Sequence, residues 1–146
     1  MTKLLLSVHV LAAILAIGPI AVAASMFPRY TRTPASGDGE ALQTAKVLHR
    51  ICRGYTLVGI AVPVFGVATG AQLGVLTDAW LLVSIVLTAA AAALLALAVL
   101  PGQQRLLAGP EKAGAARLAM VTGVFNLLWA VVVVLMIVRP GSTTGA

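Results

Sequence analysis

The sequence predicts an all-α integral membrane protein, a four-helix bundle built from two antiparallel helical hairpins. Of its 146 residues, 60% are hydrophobic and only 10% are charged, and the mean hydropathy is +1.04. A soluble domain carries about 25% charged residues, because water must solvate its surface. Here the charged residues lie in short stretches between long apolar runs, as a bilayer requires. No polar stretch is long enough to form a second module, so 1–146 is expected to be a single membrane domain.

Four apolar segments are long enough to cross a bilayer, whose hydrocarbon core of about 30 Å needs roughly 20 helical residues. The predicted spans are 4–26, 54–76, 80–100 and 118–138. Pro28, Pro101 and Pro140 follow three of these spans, which fits the inability of proline to continue a helix. Pro19 and Pro63 lie inside spans one and two, where each removes one backbone hydrogen bond.

An alternative interpretation of the first segment is a cleaved signal peptide, with Lys3 at its start and Ala21-Val22-Ala23 as the cleavage site. Its apolar stretch is longer than the usual 7–15 residues or so and contains His9. Cleavage would also leave the following basic stretch outside the membrane, against the usual charge distribution. We therefore expect a retained helix.

Lysine and arginine are distributed unequally between the two sides of the predicted bundle. Eight of the ten follow span one or span three: Arg29, Arg32, Lys46, Arg50, Arg53, Arg105, Lys112 and Arg117. Only Lys3 and Arg139 lie on the opposite side. Since cytoplasmic loops are rich in these residues, both termini are predicted to lie outside the cytoplasm. The net charge of +6 is then explained by orientation and lipid contacts, without nucleic acid.

Helix two is predicted to begin before the membrane, as a cytoplasmic extension over 38–53. Asp38 and Glu40 put acidic residues at the helix start, where the helix dipole favours them. Apolar residues then recur at helical spacing: Ala41, Leu42, Ala45, Leu48, Ile51 and Cys52. His49, beside Arg50, is interpreted as a contact to lipid head groups.

Small residues indicate where helices pack closely. Gly66, Gly70 and Gly74 form a repeated Gly-xxx-Gly ridge on helix two. This ridge can pack within the bundle, or it can dock a membrane-protein partner or a second copy of the chain. Thr122 and Asn126 lie four residues apart on span four, and we expect them to bond each other or a neighbouring helix. Asn126 is thus predicted to be a packing residue.

None of the spans has Asp, Glu, Lys or Arg at its middle, which argues against a proton pump or an ion-coupled carrier. The polar side chains of the outer half are expected to form one group, the outer polar layer. Its members are His9, Thr69, Gln72, Ser84 and Thr88.

His9 is either a hydrogen-bonded structural histidine or a functional one, which would ligate haem or a metal or contact a quinone. His49 cannot be the second ligand, because it is predicted at the opposite membrane face, about 20 Å or more away. Haem is therefore kept as an alternative, and the cofactor is left unknown. Cys52 is the only cysteine, so no thiolate metal cage is predicted. The sequence also shows no nucleophile–base–acid set, phosphate loop or paired carboxylates.

Three stretches carry a family resemblance. They are Val8-His9-Val10-Leu11-Ala12-Ala13-Ile14-Leu15-Ala16-Ile17-Gly18, Pro63 with Thr69-Gly70, and Met136-Ile137-Val138-Arg139-Pro140-Gly141. Together they resemble a family of small predicted four-helix bacterial membrane proteins of unknown function. That family is distantly similar to the copper-resistance D membrane domain and to the membrane protoporphyrinogen oxidase. The resemblance covers essentially the whole chain, implies a bacterial plasma (inner) membrane, and matches His9 to the family's first-helix histidine.

Two functions are therefore predicted. The first is a non-catalytic membrane protein that serves as an accessory or anchoring subunit of a larger plasma-membrane complex. The second is a haem- or porphyrin-associated redox protein that uses His9. A small-molecule carrier ranks last, because the spans lack a charge at their middle.

Overall fold

The computed structural model of the protein describes residues 2–32 and 39–141, and this part of the chain is helical without any strand. The elements are α1 (Thr2–Met26), a 3-10 turn (Phe27–Tyr30), α2 (Glu40–Gly59), α3 (Ala61–Leu73), α4 (Ala79–Leu94), a π segment (Leu95–Val99), α5 (Leu100–Ala108) and α6 (Lys112–Val138). They form four paths long and apolar enough to cross a membrane: Thr2–Tyr30, Glu40–Leu73, Ala79–Ala108 and Lys112–Val138. The predicted all-α class with four long apolar helices is confirmed.

The second path is interrupted once, at Ile60. Pro63 cannot donate a backbone hydrogen bond to the carbonyl of Gly59, and α2 ends at that residue. The Ile60 N–H instead bonds the Leu57 carbonyl at 3.3 Å, which tightens the last turn. Ile60 keeps helical backbone angles, φ −60° and ψ −30°, so the same helix face continues into α3. The predicted start of this helix at Asp38 lies outside the described residues, and the described helix begins at Glu40.

The third path continues past Pro101, where the sequence predicted that the helix would end. Leu95–Val99 form a π segment directly before this proline. A π turn shifts the register of the backbone hydrogen bonds. The hydrogen bond that Pro101 cannot donate is therefore lost in a turn that is already irregular. The helix then runs on as α5 to Ala108.

The second and third paths are longer than a bilayer core. They have 34 and 30 residues, or about 51 and 45 Å of helix, against about 30 Å of hydrocarbon. Their excess lies at one end of the molecule, where α2 packs against α5 through His49 and Gln103 and against the 3-10 turn through His49 and Phe27. The Glu111 N–H donates to the Thr31 carbonyl at 3.1 Å and joins the two connecting stretches there. We call this end the head, formed by residues 27–32, 40–53, 100–108 and 112–118.

The main core lies in the head and the adjoining half of the bundle. It contains Ile20, Ala23, Ala24, Phe27, Ala45, Leu48, Cys52, Ala91, Leu95, Val99, Leu106, Ala115, Leu118 and Phe125. A smaller cluster of Val75, Trp80 and Leu81 lies at the opposite end. Only 11–22% of the most apolar window of each path is buried inside the chain. The protein therefore packs its head well and leaves most of its apolar helix surface uncovered by its own residues.

Candidate functional site

His9 is a half-buried side chain on α1 that faces α3. Its Nδ1 lies 2.8 Å from the carbonyl oxygen of Val62. A carbonyl only accepts hydrogen bonds, so Nδ1 carries a hydrogen, and Nε2 is the nitrogen with a lone pair whenever the ring is neutral. Histidines that bind metals are usually held in this way, with the second ring nitrogen donating to a carbonyl or carboxylate. His9 is therefore oriented by α3 and retains one nitrogen with ligand capacity.

Gly66 provides the space that the His9 ring occupies. A Cβ atom at this position would lie 2.8 Å from His9 Cε1 and 3.2 Å from Nδ1. Both distances are shorter than ordinary van der Waals contact, which for carbon begins near 3.5 Å. The first glycine of the predicted ridge thus lets α3 approach the imidazole of α1.

The other two ridge glycines also have uses inside the chain. A Cβ atom at Gly70 would lie 3.0 Å from Leu81 and 3.1 Å from Leu76, whose side chains cover this face. Gly74 ends α3 with φ +72°, a left-handed conformation that favours glycine. All three glycines therefore serve folding of the chain itself.

The outer polar layer is not linked by hydrogen bonds. Thr69 and Ser84 are buried, and each hydroxyl donates to the carbonyl four residues earlier on its own helix, at 2.7 and 2.8 Å. Gln72 is exposed and Thr88 is half-buried. In the described part of the chain, no hydrogen bond joins two members of the layer. Hydroxyls bonded to their own helix need no partner, so these side chains are separate polar positions.

Asn126 connects α6 to α1. Its Nδ2 donates to Ser25 Oγ at 3.0 Å, one of the two arrangements predicted from the sequence. The Oδ1 atom of Asn126 and the hydroxyl of Thr122 are buried and accept or donate no hydrogen bond within the described residues. Thr122 and Asn126 do not bond each other, so the contact to Ser25 is the packing interaction of this pair.

The head contains a buried polar cluster that residue spacing alone does not predict. The expectation that His49 contacts lipid head groups is wrong, since only 7% of this residue is exposed. Its Nδ1 donates to Gln103 Oε1 at 2.7 Å, and Gln103 Nε2 donates to Cys52 Sγ at 3.5 Å. Gln103 is fully buried, and the Phe27 ring covers His49 with a centroid separation of 6.5 Å. We call His49, Gln103 and Cys52 the head cluster.

The burial of His49 depends on the continuation of the helix past Pro101, which brings Gln103 on α5 to the imidazole. Had the helix ended there, Gln103 would lie in a loop, and His49 would have no partner. A signal was nevertheless present, because His49 shares one helix face with Ala45, Leu48 and Cys52, all of which are buried. The face of α2, rather than the neighbouring Arg50, determined the environment of the histidine.

The head cluster has the chemistry of a packing network. Gln103 lies between the imidazole and the thiol and bonds both, so the ring nitrogen that could activate a thiol is bonded to an amide. No group of three or more His, Cys, Asp or Glu residues that could hold a metal ion occurs within residues 2–32 and 39–141. The cluster fixes α2 against α5 and sets the rotation of α2 about its axis.

The opposite end is held by Trp80. Its indole N–H donates to Asp78 Oδ2 at 3.2 Å, and the Arg139 guanidinium lies 5.4 Å from the ring centroid. Arg139 ends α6 in a left-handed conformation, φ 49°, and its Nε donates to the Met136 carbonyl at 3.2 Å. The stacked cation and ring attach the end of α6 to the start of α4.

An apolar cavity of about 150 Å³ opens between α4 and α6. It is lined by Leu87, Val124, Leu127, Leu128 and Val131. Binding sites for small molecules are larger, roughly 300–1,000 Å³, and place a few polar groups to orient the ligand. This cavity has the character of a shallow contact for a lipid chain or an apolar side chain.

Comparisons of the chain with protein-family models, curated proteins and solved structures found no match. The family resemblance seen in the sequence therefore stays a prediction.

Replacing Gln103 tests the head cluster. Gln103→Leu leaves the buried His49 N–H without an acceptor, and such a loss costs about 1–3 kcal/mol. We expect a lower thermal unfolding midpoint in mild detergent. Gln104→Leu is the matched control, because Gln104 is exposed. Equal midpoints for the two variants would show that the bond does not stabilise the head.

Replacing Gly66 tests the position of His9. Gly66→Ala places a methyl group where the imidazole lies, so the ring must move and weaken its bond to Val62. The expected result is a change in the ¹⁵N chemical shifts of the His9 ring, with those of His49 unchanged. Gly123→Ala is the control, since a Cβ atom there meets nothing within 4 Å. Unchanged His9 shifts in both variants would contradict the packing of the imidazole against Gly66.

Proposed function

We propose that the protein is a multi-pass protein of a bacterial plasma membrane, folded as two antiparallel helical hairpins, and a non-catalytic accessory or anchoring subunit of a larger complex. The observation that carries this proposal is the uncovered apolar surface of the four paths. No path buries more than 22% of its most apolar window inside the chain. Large apolar patches on a protein surface mark contacts to membranes or other proteins. Lipid and the helices of a partner would cover this surface.

Two features favour a subunit over an enzyme. In the head, Gln103 is hydrogen-bonded to both His49 and Cys52, so these two side chains serve packing. The cavity between α4 and α6 has only apolar side chains around it. Since the glycines of the predicted ridge already serve the fold, we assign partner contact to the exposed apolar faces of the helices, such as the one that carries Leu127.

The head is assigned to the cytoplasmic side. All eight basic residues that follow span one and span three lie on it, and the bond between Glu111 and Thr31 joins the two stretches. Because positive residues are retained on the cytoplasmic side, the termini of the chain would lie outside.

Gentle purification from native membranes tests the proposal. We expect the tagged chain to bring other integral membrane proteins with it in comparable amounts. In the control, tagged chain is added to membranes from untagged cells after solubilisation, which reveals partners acquired in detergent. Recovery of the chain alone, as a folded monomer, would contradict the subunit role.

The second candidate function, a haem- or porphyrin-associated redox protein, is favoured by the geometry of His9. Its Nδ1 bond to Val62 orients the ring and leaves Nε2 with a lone pair. The chain would supply one axial ligand, and a second copy or a partner would supply any other.

A reduced-minus-oxidised absorption spectrum of the gently purified protein tests this candidate. The expected result is a haem signal that His9→Ala loses while the variant still inserts and folds. His49→Gln is the control and should keep the signal. A featureless spectrum from folded wild-type protein would eliminate haem binding as its function.

A further inference from the structure

We propose that one face of α2 and α3 binds an anionic phospholipid, with its phosphate on Lys46, Arg50 and Arg53. We call these three residues the basic stripe. The inference rests on the proposed function, since it needs the head to lie at a membrane surface. It adds a binding site and a ligand class to that function.

The spacing of the basic stripe places it on one side of the helix. Its members are four and three residues apart, which puts them in one row along α2. All three are exposed, while the face with Ala45 and Cys52 is buried in the core. The head cluster fixes the rotation of α2 and therefore keeps this row at the surface.

The row continues below the charges as an apolar track. Leu57, Ile60 and Val64 follow Arg53 at intervals of four, three and four residues. They are 72%, 59% and 59% exposed, and the helical angles of Ile60 keep them in line with the stripe. One continuous face thus changes from cationic to apolar at a single point, between residues 53 and 57. A phospholipid has the same division between its phosphate and its acyl chains.

The dimensions agree with this ligand. From Arg50 to Arg53 the helix rises about 4.5 Å, which is within the roughly 5–8 Å of one interfacial layer, and Lys46 lies about 6 Å farther from the hydrocarbon. The predicted second span begins directly after Arg53, so the stripe would lie at the depth of the phosphates. The apolar track from Leu57 to Val64 rises about 10 Å, which is within the roughly 15 Å of one hydrocarbon leaflet.

The electrostatics of the head favour a negative ligand. Within the described residues, the head has eight basic side chains and one acidic one, Glu40, and Glu111 directly precedes its last segment. None of the three stripe residues forms an ion pair in that part of the chain, so their charges are available to a phosphate. A lysine or arginine near an anionic membrane surface contributes about fivefold to binding.

Aromatic residues at the same level favour lipid over an acidic protein as the ligand. Tyr55 is exposed and follows Arg53 by two residues, and the Arg29 guanidinium lies 5.9 Å from the Tyr30 ring centroid. Tyrosine is enriched at the level of the lipid head groups. An acidic protein segment would satisfy the charges but would leave the apolar track beneath them uncovered.

Native mass spectrometry of the full chain in mild detergent tests the inference with two lipids of identical acyl chains, phosphatidylglycerol and phosphatidylcholine. We expect preferential binding of phosphatidylglycerol. The triple variant K46Q/R50Q/R53Q should lose this preference, by about fivefold for each charge removed. Lys46→Gln and Lys3→Gln form a matched pair, because both lysines are exposed but lie at opposite ends. Only Lys46→Gln should weaken binding.

Three results would overturn the inference: equal binding of the two lipids by wild-type protein, unchanged binding by a folded triple variant, or equal losses in the two lysine variants. Displacement of the lipid by a similar concentration of glycerol phosphate would show a site for free phosphate. Stripe-dependent capture of an acidic protein without lipid preference would assign the surface to that protein. Both outcomes reject a phospholipid site.

Reconstitution into phosphatidylcholine vesicles separates this inference from the proposed function. A chain that resists alkaline extraction from these vesicles but shows no preference for phosphatidylglycerol would refute the lipid site alone. A folded chain that is extracted from the vesicles would refute the membrane role itself.

Discussion

The passage of the third helix through Pro101 is the constraint on which the arrangement of the head depends. Proline removes one backbone donor, and the π segment Leu95–Val99 absorbs this loss, so that α5 continues along the same path. The continuation brings Gln103 to His49 and Cys52, and the resulting bonds fix α2 against α5. The outward direction of the basic stripe follows, because one face of α2 is already committed to the core. The π segment before α5 thus determines which side chains of α2 lie at the surface.

The sequence was sufficient for the parts of the fold that depend on composition and periodicity. Four apolar runs gave four long helices, and the apolar face of 40–53 gave a helix that begins well before the predicted second span. These properties are local, since the hydrophobicity of each segment determines whether it lies in lipid, in water or at their boundary. The sequence also predicted that Asn126 bonds Thr122 or a neighbouring helix, and it bonds Ser25 on the neighbouring α1.

Properties that depend on pairing between distant segments could not be read from spacing. Whether a proline ends a helix or is followed by more helix after a π segment depends on what the following residues can pack against, and here Gln103 packs on α2. The three ridge glycines show the same limit. A row of glycines indicates which face another group can approach closely, but not whether that group is an imidazole, a leucine or a second protein. In this chain Gly66 admits His9, and Gly70 admits Leu81.

The unequal ends of the bundle have a consequence for hydrophobic mismatch. In a bilayer the head cannot sink into the hydrocarbon, because its exposed charges require a wetter layer. The opposite end is attached more lightly, through the stacking of Arg139 on Trp80 and a small apolar cluster. A change in membrane thickness would therefore be taken up by tilting about the head rather than by sliding along the membrane normal. For the membrane subunit proposed above, such a pivot would make the tilt of the far end depend on the thickness of the surrounding lipid, and would thereby alter its packing against a partner.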